Sequence, residues 1–325
     1  MDRRSFIGGI ASGLLAVPLA SHSQQETRVY RVGILESTPA AQNAGNLDAL
    51  RNGLRELGYA EGRNLVIEYR SSDGHAERFP DLATELVRLR VDLIVTRGTP
   101  AAQAAKNATA TIPVVMATMG DPRIVVAGFA RPGGNVTGVT TFSTELTGKR
   151  IELLKDMVPN VSRIALLHNM GNPAAPPEWE EARIAARSLG VQAELLDVRS
   201  QDDLNRAFET AIRQQVNALL VGADGLTQMH QQTILALVLR SKLPATYPSR
   251  AFVEAGGLMA YAVNYPELYA RVAQFVGQIL KGAKPGDLPV QQPAKLELVI
   301  NLKTAKALGL TIPQSVLVRA DEVIQ

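Results

Sequence analysis

Short apolar runs recur along the chain and alternate with amphipathic stretches, and this alternation predicts the secondary structure. Several runs are apolar on both faces and rich in β-branched residues, which is typical of strands in a parallel sheet that helices cover. The predicted strands are RVGILE (31–36), LVIEYR (65–70), VDLIV (91–95), IPVVMAT (112–118), RIALLH (163–168), VQAELLDV (191–198), NALLVGA (217–223) and LPATY (243–247). The pattern indicates an α/β protein.

The stretches between the strands have the spacing of helices with one apolar face. The first helix would bury Leu47, Leu50, Leu54 and Leu57, and Gly58 would end it in a left-handed conformation. A later helix would bury Leu204, Ala207, Phe208, Ala211 and Ile212. Ser200 is its predicted N-cap, and Asp203 stands where a capping box has its acid.

The chain resembles itself at an offset of 132 residues, which indicates two similar halves. RVGILES (31–37) aligns with RIALLHN (163–169), and Leu57-Gly58 aligns with Leu189-Gly190. The offset changes slightly for the next segments, so that VDLIV (91–95) corresponds to VNALL (216–220). A β-α-β-α-β order therefore occurs twice and predicts two α/β lobes. The alternative is that the similarity arises by chance, since many α/β chains have similar residues between their strands and helices. The division into two lobes does not depend on this choice.

Three turn-rich stretches are candidate crossings between the lobes. They are RPGGNVTGVTTFS (131–143), GGLMAYAVNYPEL (256–268) and KGAKPGDLPVQQP (281–293). Each is rich in residues that punctuate helices and strands. We therefore expect the chain to pass between the lobes three times.

The first 23 residues differ from the rest and predict an export signal. A short charged head with Arg3-Arg4 is followed by an apolar segment from Phe6 to about Ala20 and then by small residues. The head resembles a twin-arginine signal, which would send the chain to the bacterial periplasm. The alternative is an uncleaved membrane anchor, although the segment is short and glycine-rich for a membrane span.

Composition and charge exclude or disfavour several kinds of partner and binding site. The chain has 325 residues, of which 46% are apolar and 20% charged, as expected for a globular protein. Its net charge of +3 and aromatic share of 5% do not favour a nucleic-acid partner. Because it has no cysteine, disulfides, thiolate metal sites and a lipid-modified N-terminal cysteine are excluded.

The sequence contains none of the enzyme motifs that this architecture often carries. A G-x-G-x-x-G after a strand, a P-loop, a G-x-S-x-G elbow and an H-E-x-x-H are all missing. Its four histidines are far apart, so no pair has the spacing of metal ligands. Carboxylate pairs such as Glu180-Glu181 stand at helix starts, where they suit the helix dipole. We therefore predict no enzymatic activity, no cofactor and no metal.

The junction TRGTPAAQAAK (96–106) is the strongest candidate for a binding site. It follows an apolar strand and opens a helix, with Thr99 as a possible N-cap and Pro100 at the first helical position. The free amides of Ala101 and Ala102 would then face the space beyond the sheet, where open α/β sheets bind ligands. This arrangement suits an anion, and a carboxylate more than a nucleotide phosphate. The alternative is a capped surface helix.

Four longer segments carry a resemblance to a known family. They are RGTPAAQAAKNATATIPVVMATMGDP (97–122), ARPGGNVTGVT (130–140), FVEAGGLMAY (252–261) and LELVINLKTAKALGLTIPQSVLVRADEVI (296–324). Together they resemble the tryptophan/tyrosine-type family of ABC-transporter substrate-binding proteins. The resemblance implies a type I periplasmic-binding fold, in which two Rossmann-like lobes, each a parallel sheet flanked by helices, are joined by three crossovers. Residues 28–142 and 261–285 would then form lobe 1, and residues 143–260 and 286–325 lobe 2.

The resemblance also implies that the strand ends of both lobes face one ligand cleft. The expected contacts of lobe 1 are Ser37, Thr38, Gly98, Thr99, Pro100, Ala101, Met119, Gly120 and Asp121. Those of lobe 2 are Asn169, Asp224, Tyr247 and Arg250. Asp121 and Asp224 are candidates to receive an ammonium group, although each also suits a turn.

The expected function is that of a monomeric periplasmic receptor that closes on a small carboxylate-bearing ligand and presents it to an ABC permease. The ligand would be an amino acid or a related organic acid. The family is known for aromatic amino acids, yet only Phe142 and Tyr247 are aromatic near the strand ends, and Trp179 is expected to pack at a helix start. The alternatives are a sensor subunit for a receptor kinase, a hydrolase or isomerase on the same framework, and a sugar-binding variant.

Overall fold

The structure is a computed structural model that describes residues 28–141, 143–158, 160–293 and 295–325. The predicted signal at 1–23 and Phe142 lie outside these residues. The first part of the chain forms β1 (Tyr30–Glu36), α1 (Ala44–Glu56), β2 (Leu65–Ser71), α2 (Phe79–Arg88), β3 (Leu93–Arg97), α3 (Thr99–Ala108), β4 (Val114–Thr118) and β5 (Val136–Gly138). Short 3-10 helices at Ala76–Arg78 and Pro122–Ile124 lie in the connections.

The second part repeats the alternation of strands and helices. It forms α4 (Ser143–Met157), β6 (Arg163–His168), α5 (Ala175–Ser188), β7 (Gln192–Asp197), α6 (Gln201–Arg213), β8 (Ala218–Val221), α7 (Gly225–Met229), α8 (Gln231–Ser241), β9 (Ala245–Tyr247), α9 (Arg250–Glu254) and β10 (Met259–Val263). The chain ends with α10 (Tyr265–Leu280), a 3-10 helix (Pro285–Asp287), β11 (Leu296–Asn301), α11 (Leu302–Ala307), α12 (Gln314–Leu317) and β12 (Glu322–Ile324). All the predicted strands are confirmed, as β1–β4 and β6–β9.

The described residues form two sheets, one in each lobe. The first has the order β2-β1-β3-β4-β5, and its strands are all parallel. The second has the order β12-β11-β10-β9-β8-β6-β7. In it β10 and β11 pair antiparallel, whereas the other neighbouring strands pair parallel, so the predicted parallel sheet is confirmed apart from this one pairing. The reversal arises because β10 ends at the cleft, where the chain leaves for the first lobe. The chain also returns at the cleft, so β11 must start there and run in the opposite direction.

The repeat found in the sequence corresponds to equivalent positions in the two sheets. β1 lies between β2 and β3, and β6 lies between β7 and β8. The glycines after α1 and α5, Gly58 and Gly190, have φ angles of 92° and 69°. That left-handed conformation ends a helix and suits glycine. The predicted similarity of the two halves is confirmed.

Helix α10 belongs to the first lobe although it follows the second lobe's strands. It crosses α1 so closely that a Cβ on Gly53 would lie 2.7 Å from the Ala273 Cβ. Residues 261–263 lie in β10 of the second sheet, whereas Thr137 of β5 donates a hydrogen bond to the Leu288 carbonyl at 2.6 Å. The crossings therefore lie a few residues after the predicted boundaries at 261 and 285.

Helix α6 packs its predicted face on the second sheet, with one exception. Leu204, Phe208 and Ala211 are buried, but Ile212 is 59% exposed. At 3.6 residues per turn, Ile212 lies about 80° round the helix from Leu204, beyond the edge of the apolar stripe. The Ser200 hydroxyl bonds to Asp203 instead of capping the helix, and Asp203 also accepts the Arg199 amide.

We expect Phe208→Ala to lower the free energy of unfolding by about 3–5 kcal/mol, because it opens a cavity in a fully packed core. Ile212→Ala is the matched control on the same helix, and its effect should stay within about 0.5 kcal/mol. Urea unfolding monitored by circular dichroism measures both. Similar losses for the two variants would contradict this packing.

Candidate functional site

The carboxyl ends of the parallel strands of both sheets face one cavity between the lobes. The space between the lining atoms, including the solvent at the open mouth, is about 730 Å³. Such crevices beyond the strand ends are where open α/β sheets bind ligands. The predicted site residues that line it are Ser37, Thr38, Gly98, Thr99, Pro100, Met119 and Gly120 from the first lobe, and Asp224 from the second.

Tyr247 and Arg250, predicted as ligand contacts, lie away from the cavity. Tyr247 has no exposed surface, and its ring stacks on Phe252 with 5.0 Å between centroids. Arg250 begins α9 and binds Glu254 and Glu322, each at 2.8 Å. The reason is that β9 leads directly into α9, which packs on β10 and β11.

The other three predicted residues that do not line the cavity lie just behind it. Ala101 has no exposed surface. Asp121 caps the 3-10 helix after β4 and pairs with Arg123 at 2.7 Å, as its turn interpretation expected. Asn169 donates from Nδ2 to Asp224 at 3.3 Å, so it supports a lining residue instead of lining the cavity itself.

The start of α3 lies at the cavity, one residue earlier than predicted. Its N-cap is Gly98, whose φ of 83° favours glycine, and not Thr99. The amide of Ala102, predicted to be free, bonds to the Gly98 carbonyl at 3.2 Å. Among the described residues, the Thr99 amide and hydroxyl have no hydrogen-bond partner. The lining therefore presents these Thr99 groups at the positive end of a helix dipole.

Arg97 also lines the cavity, and sequence reasoning did not select it. Its guanidinium lies 3.7 Å from Glu36 and sits over the Tyr265 ring at 5.0 Å from the centroid. An arginine that directly follows the apolar run LIVT, just before the helix start, was the available signal. The lobe 1 wall thus carries a fixed cation beside Thr99.

Beneath this wall, the fully buried carboxylate of Glu36 joins β1 to α10. It accepts the Tyr269 hydroxyl at 2.6 Å and the Ser37 amide at 3.0 Å. Burial and the adjacent Glu36 raise the pKa of Tyr269 well above its ordinary value, so the phenol keeps its proton and donates it. The network holds Arg97 and Ser37 in place at the cavity.

The lobe 2 wall presents the carboxylate of Asp224, which is 8% exposed. It accepts the Leu226 amide at 2.8 Å at the start of α7, and the side chains of Asn169 and Asn172 at 3.3 and 2.8 Å. Within the described residues it forms no ion pair with a basic side chain. Neutral donors therefore orient this carboxylate, and no basic side chain of the described residues contacts it.

A second buried cluster lies behind the lobe 2 wall, at the position that matches Glu36. His168 lies 3.3 Å from Glu178, and Arg150 lies 4.0 Å from the same carboxylate while donating to the Tyr261 carbonyl at 2.9 Å. Burial is the largest single influence and opposes the charged imidazole, but the hydrogen bond to Glu178 and the charges of Glu178, Asp224 and Asp197 together raise the pKa of His168. The cluster contributes no lining residue, and it joins the end of β6 to α5.

The two lobes touch across the cavity, so this is a closed arrangement. A Cβ on Gly225 would lie 2.5 Å from the Ser37 side chain, and one on Gly74 would lie 3.2 Å from Met229. A Cβ on Gly120 would likewise come close to the side chains of Ser143 and Ala174. Residues without a side chain thus permit close approach at three places along the cleft.

Two other kinds of site are missing from the part of the chain that the structure describes. It holds no group of three or more His, Asp and Glu side chains placed to bind a metal ion. No helix there combines the length and the apolar character that a membrane crossing requires.

The chain matches the family model of ABC transporter substrate binding proteins over residues 36–324. It is 26% identical over 271 residues to a tyrosine-binding protein of Clostridioides difficile, covering 82% of this chain and 78% of that protein. A crystal structure of an ABC domain in complex with L-Trp from Streptococcus pneumoniae is 32% identical, with a TM-score of 0.84. A conserved domain protein from Vibrio cholerae is 28% identical, with a TM-score of 0.85. Both alignments cover 91% of this chain and 100% of the other.

Acidification should weaken the closure of the lobes through His230. Burial and the nearby His75 of the other lobe lower the pKa of His230 in the closed form. Closure is therefore fully favoured above the ordinary histidine value of about 6.5 and weakens as the pH falls through the lowered value. We expect a larger radius of gyration in X-ray scattering at pH 5 than at pH 8, and a smaller change in His230→Gln. An equal change in both proteins would contradict this linkage.

Proposed function

Because the chain belongs to the family of ABC transporter substrate-binding proteins, we propose that it is the periplasmic receptor of an ABC importer and closes its lobes on an amino acid or a related organic acid. The resemblance seen in the sequence and the type I periplasmic-binding fold are both confirmed. The relatives are substrate-binding proteins, which favours binding over catalysis.

The observation that carries the proposal is the complementary charge of the two walls. Lobe 1 presents Arg97 and the Thr99 groups at the start of α3, which suit a carboxylate. Lobe 2 presents the carboxylate of Asp224, which is hydrogen-bonded by neutral donors and suits an ammonium group. A zwitterion that bridges the lobes would satisfy both walls at once.

This arrangement links binding to closure. A ligand shifts a two-state equilibrium only through contacts that differ between the states. The Thr99 and Asp224 contacts lie on opposite lobes, so one small molecule can reach both only when the lobes are closed. The ligand thereby stabilises the closed form, which is the form that a permease would receive.

The relatives support an amino acid over a simple organic acid. One is a tyrosine-binding protein and another was crystallised with L-Trp. We propose the same class of ligand for this chain, with Ser37, Thr38, Gly98, Pro100, Met119 and Gly120 as further contacts on lobe 1. The permease, the twin-arginine export route and the monomeric state belong to the same proposal.

We expect Asp224→Asn to weaken amino-acid binding by at least about 30-fold, because a buried charge pair is lost. Asparagine is a good N-cap, so α7 should still form. Calorimetry with L-tryptophan and L-tyrosine, and with the matching propionates that lack the amine, measures the effect. The amine-free acids should bind weakly to wild type and lose little more in the variant.

Asp121→Asn is the matched control, since Asp121 lies outside the cavity, and it should bind like wild type. The proposal fails if none of the twenty L-amino acids stabilises the wild-type protein in a thermal-shift assay. A ligand present at a hundred times its Kd should add about 2.7 kcal/mol to the stability.

A further inference from the structure

One end of the cavity differs in character from the charged centre. The loop after β2 and the α7 segment of the other lobe close this end, which we call the β2-end subsite (Ser72, Gly74, Ala76, Phe79, Leu226 and Gln228). In the order β2-β1-β3, it lies two strand spacings, or about 10 Å, from the strand that carries Arg97. Gly225 approaches Ser37 at the end of β1 between the two, so the neighbouring Asp224 lies between this end and Arg97.

The walls of the β2-end subsite are largely apolar and come from both lobes. Phe79 is 2% exposed and Leu226 is 3% exposed, and Ala76 lies beside them. The charged groups of the cavity, Arg97 and Asp224, belong to its centre. An apolar group of the ligand that leaves the charged centre in this direction would be covered by the closing lobes.

Ser72 is the exception in this apolar wall. It is 1% exposed, and its Oγ has no hydrogen-bond partner among the described residues. Its backbone is fixed, since its amide donates to the Glu36 carbonyl at 2.8 Å and its own carbonyl accepts from Arg78 at 3.1 Å. A buried hydroxyl without a partner is unfavourable, and a ligand group that pairs with it gains specificity.

Gln228 supplies a second polar group at the same end. It is half-buried on α7, and its carboxamide forms no hydrogen bond to the described residues. The subsite therefore combines apolar walls with an unused hydroxyl from lobe 1 and an unused carboxamide from lobe 2. Both can donate or accept a hydrogen bond.

We propose that the β2-end subsite receives the ligand's side chain and that Ser72 determines specificity by hydrogen-bonding a polar group at the far end of a mainly apolar side chain. A phenol hydroxyl or an indole N–H has this chemistry. The inference rests on the proposed function, because it presupposes an amino-acid backbone at the charged centre. It adds the residue that distinguishes side chains of similar size.

The test compares L-tyrosine with L-phenylalanine, which differ by one hydroxyl, in calorimetric titrations of wild type, Ser72→Ala and Ser72→Thr. Wild type should prefer the side chain that carries the hydrogen-bonding group. Ser72→Ala should weaken L-tyrosine about tenfold and leave L-phenylalanine within about twofold. Ser72→Thr keeps a hydroxyl and should keep the preference.

Ser249→Ala is the matched control, because Ser249 is also buried with an unpartnered Oγ but lies outside the cavity. It should change neither affinity. Equal weakening of both amino acids by Ser72→Ala, or no weakening of either, overturns the inference and leaves the proposed function standing. Failure of the wild type to bind any L-amino acid overturns both.

Discussion

Glu36 places a carboxylate with no exposed surface at the end of β1, directly beneath the cavity, and a buried charge must be paired and hydrogen-bonded. Its partners are Tyr269, which belongs to α10, and Arg97, which lies at the end of β3. The first lobe can therefore complete its cleft only after the chain has passed through the second lobe and returned. The same contacts fix Arg97 beside the start of α3, so the support of the fold and the positioning of the ligand wall depend on one buried group.

The two halves share a framework but use it differently. At the position that matches Glu36, the second lobe has His168, held by Glu178 behind the wall. Lobe 1 brings its buried charge into contact with Arg97 and so offers a cation and a helix start to the cavity. Lobe 2 keeps its charged cluster away from the cavity and offers the carboxylate of Asp224, which only neutral groups hold. Repetition of the fold thus yields one wall with a basic side chain and one with an acidic side chain.

The strands, the repeat and the cleft location were predictable from sequence because they follow from apolar periodicity and from glycines with left-handed conformations, such as Gly58. The side chains that reach the cavity were less predictable. Tyr247 ends β9 and was expected at the cleft like Asp224 after β8, but its ring is buried against Phe252 of the following helix. Arg97 and Phe79 escaped notice because their roles depend on Tyr265 and on Leu226, which are distant in sequence. The positions of such partners follow from tertiary packing and not from local pattern.

The antiparallel pairing of β10 and β11 bears on how the molecule moves. The two strands stay hydrogen-bonded up to Val263 and Leu296, so both chain passages to and from α10 leave the second lobe side by side. The remaining passage, near Thr141, starts from the edge strand β5 of the first sheet. Connections tied together in this way resist translation of one lobe past the other. The motion that these connections resist least is a rotation of the lobes about a single axis that passes through them. Such a motion is a hinge motion and not shear.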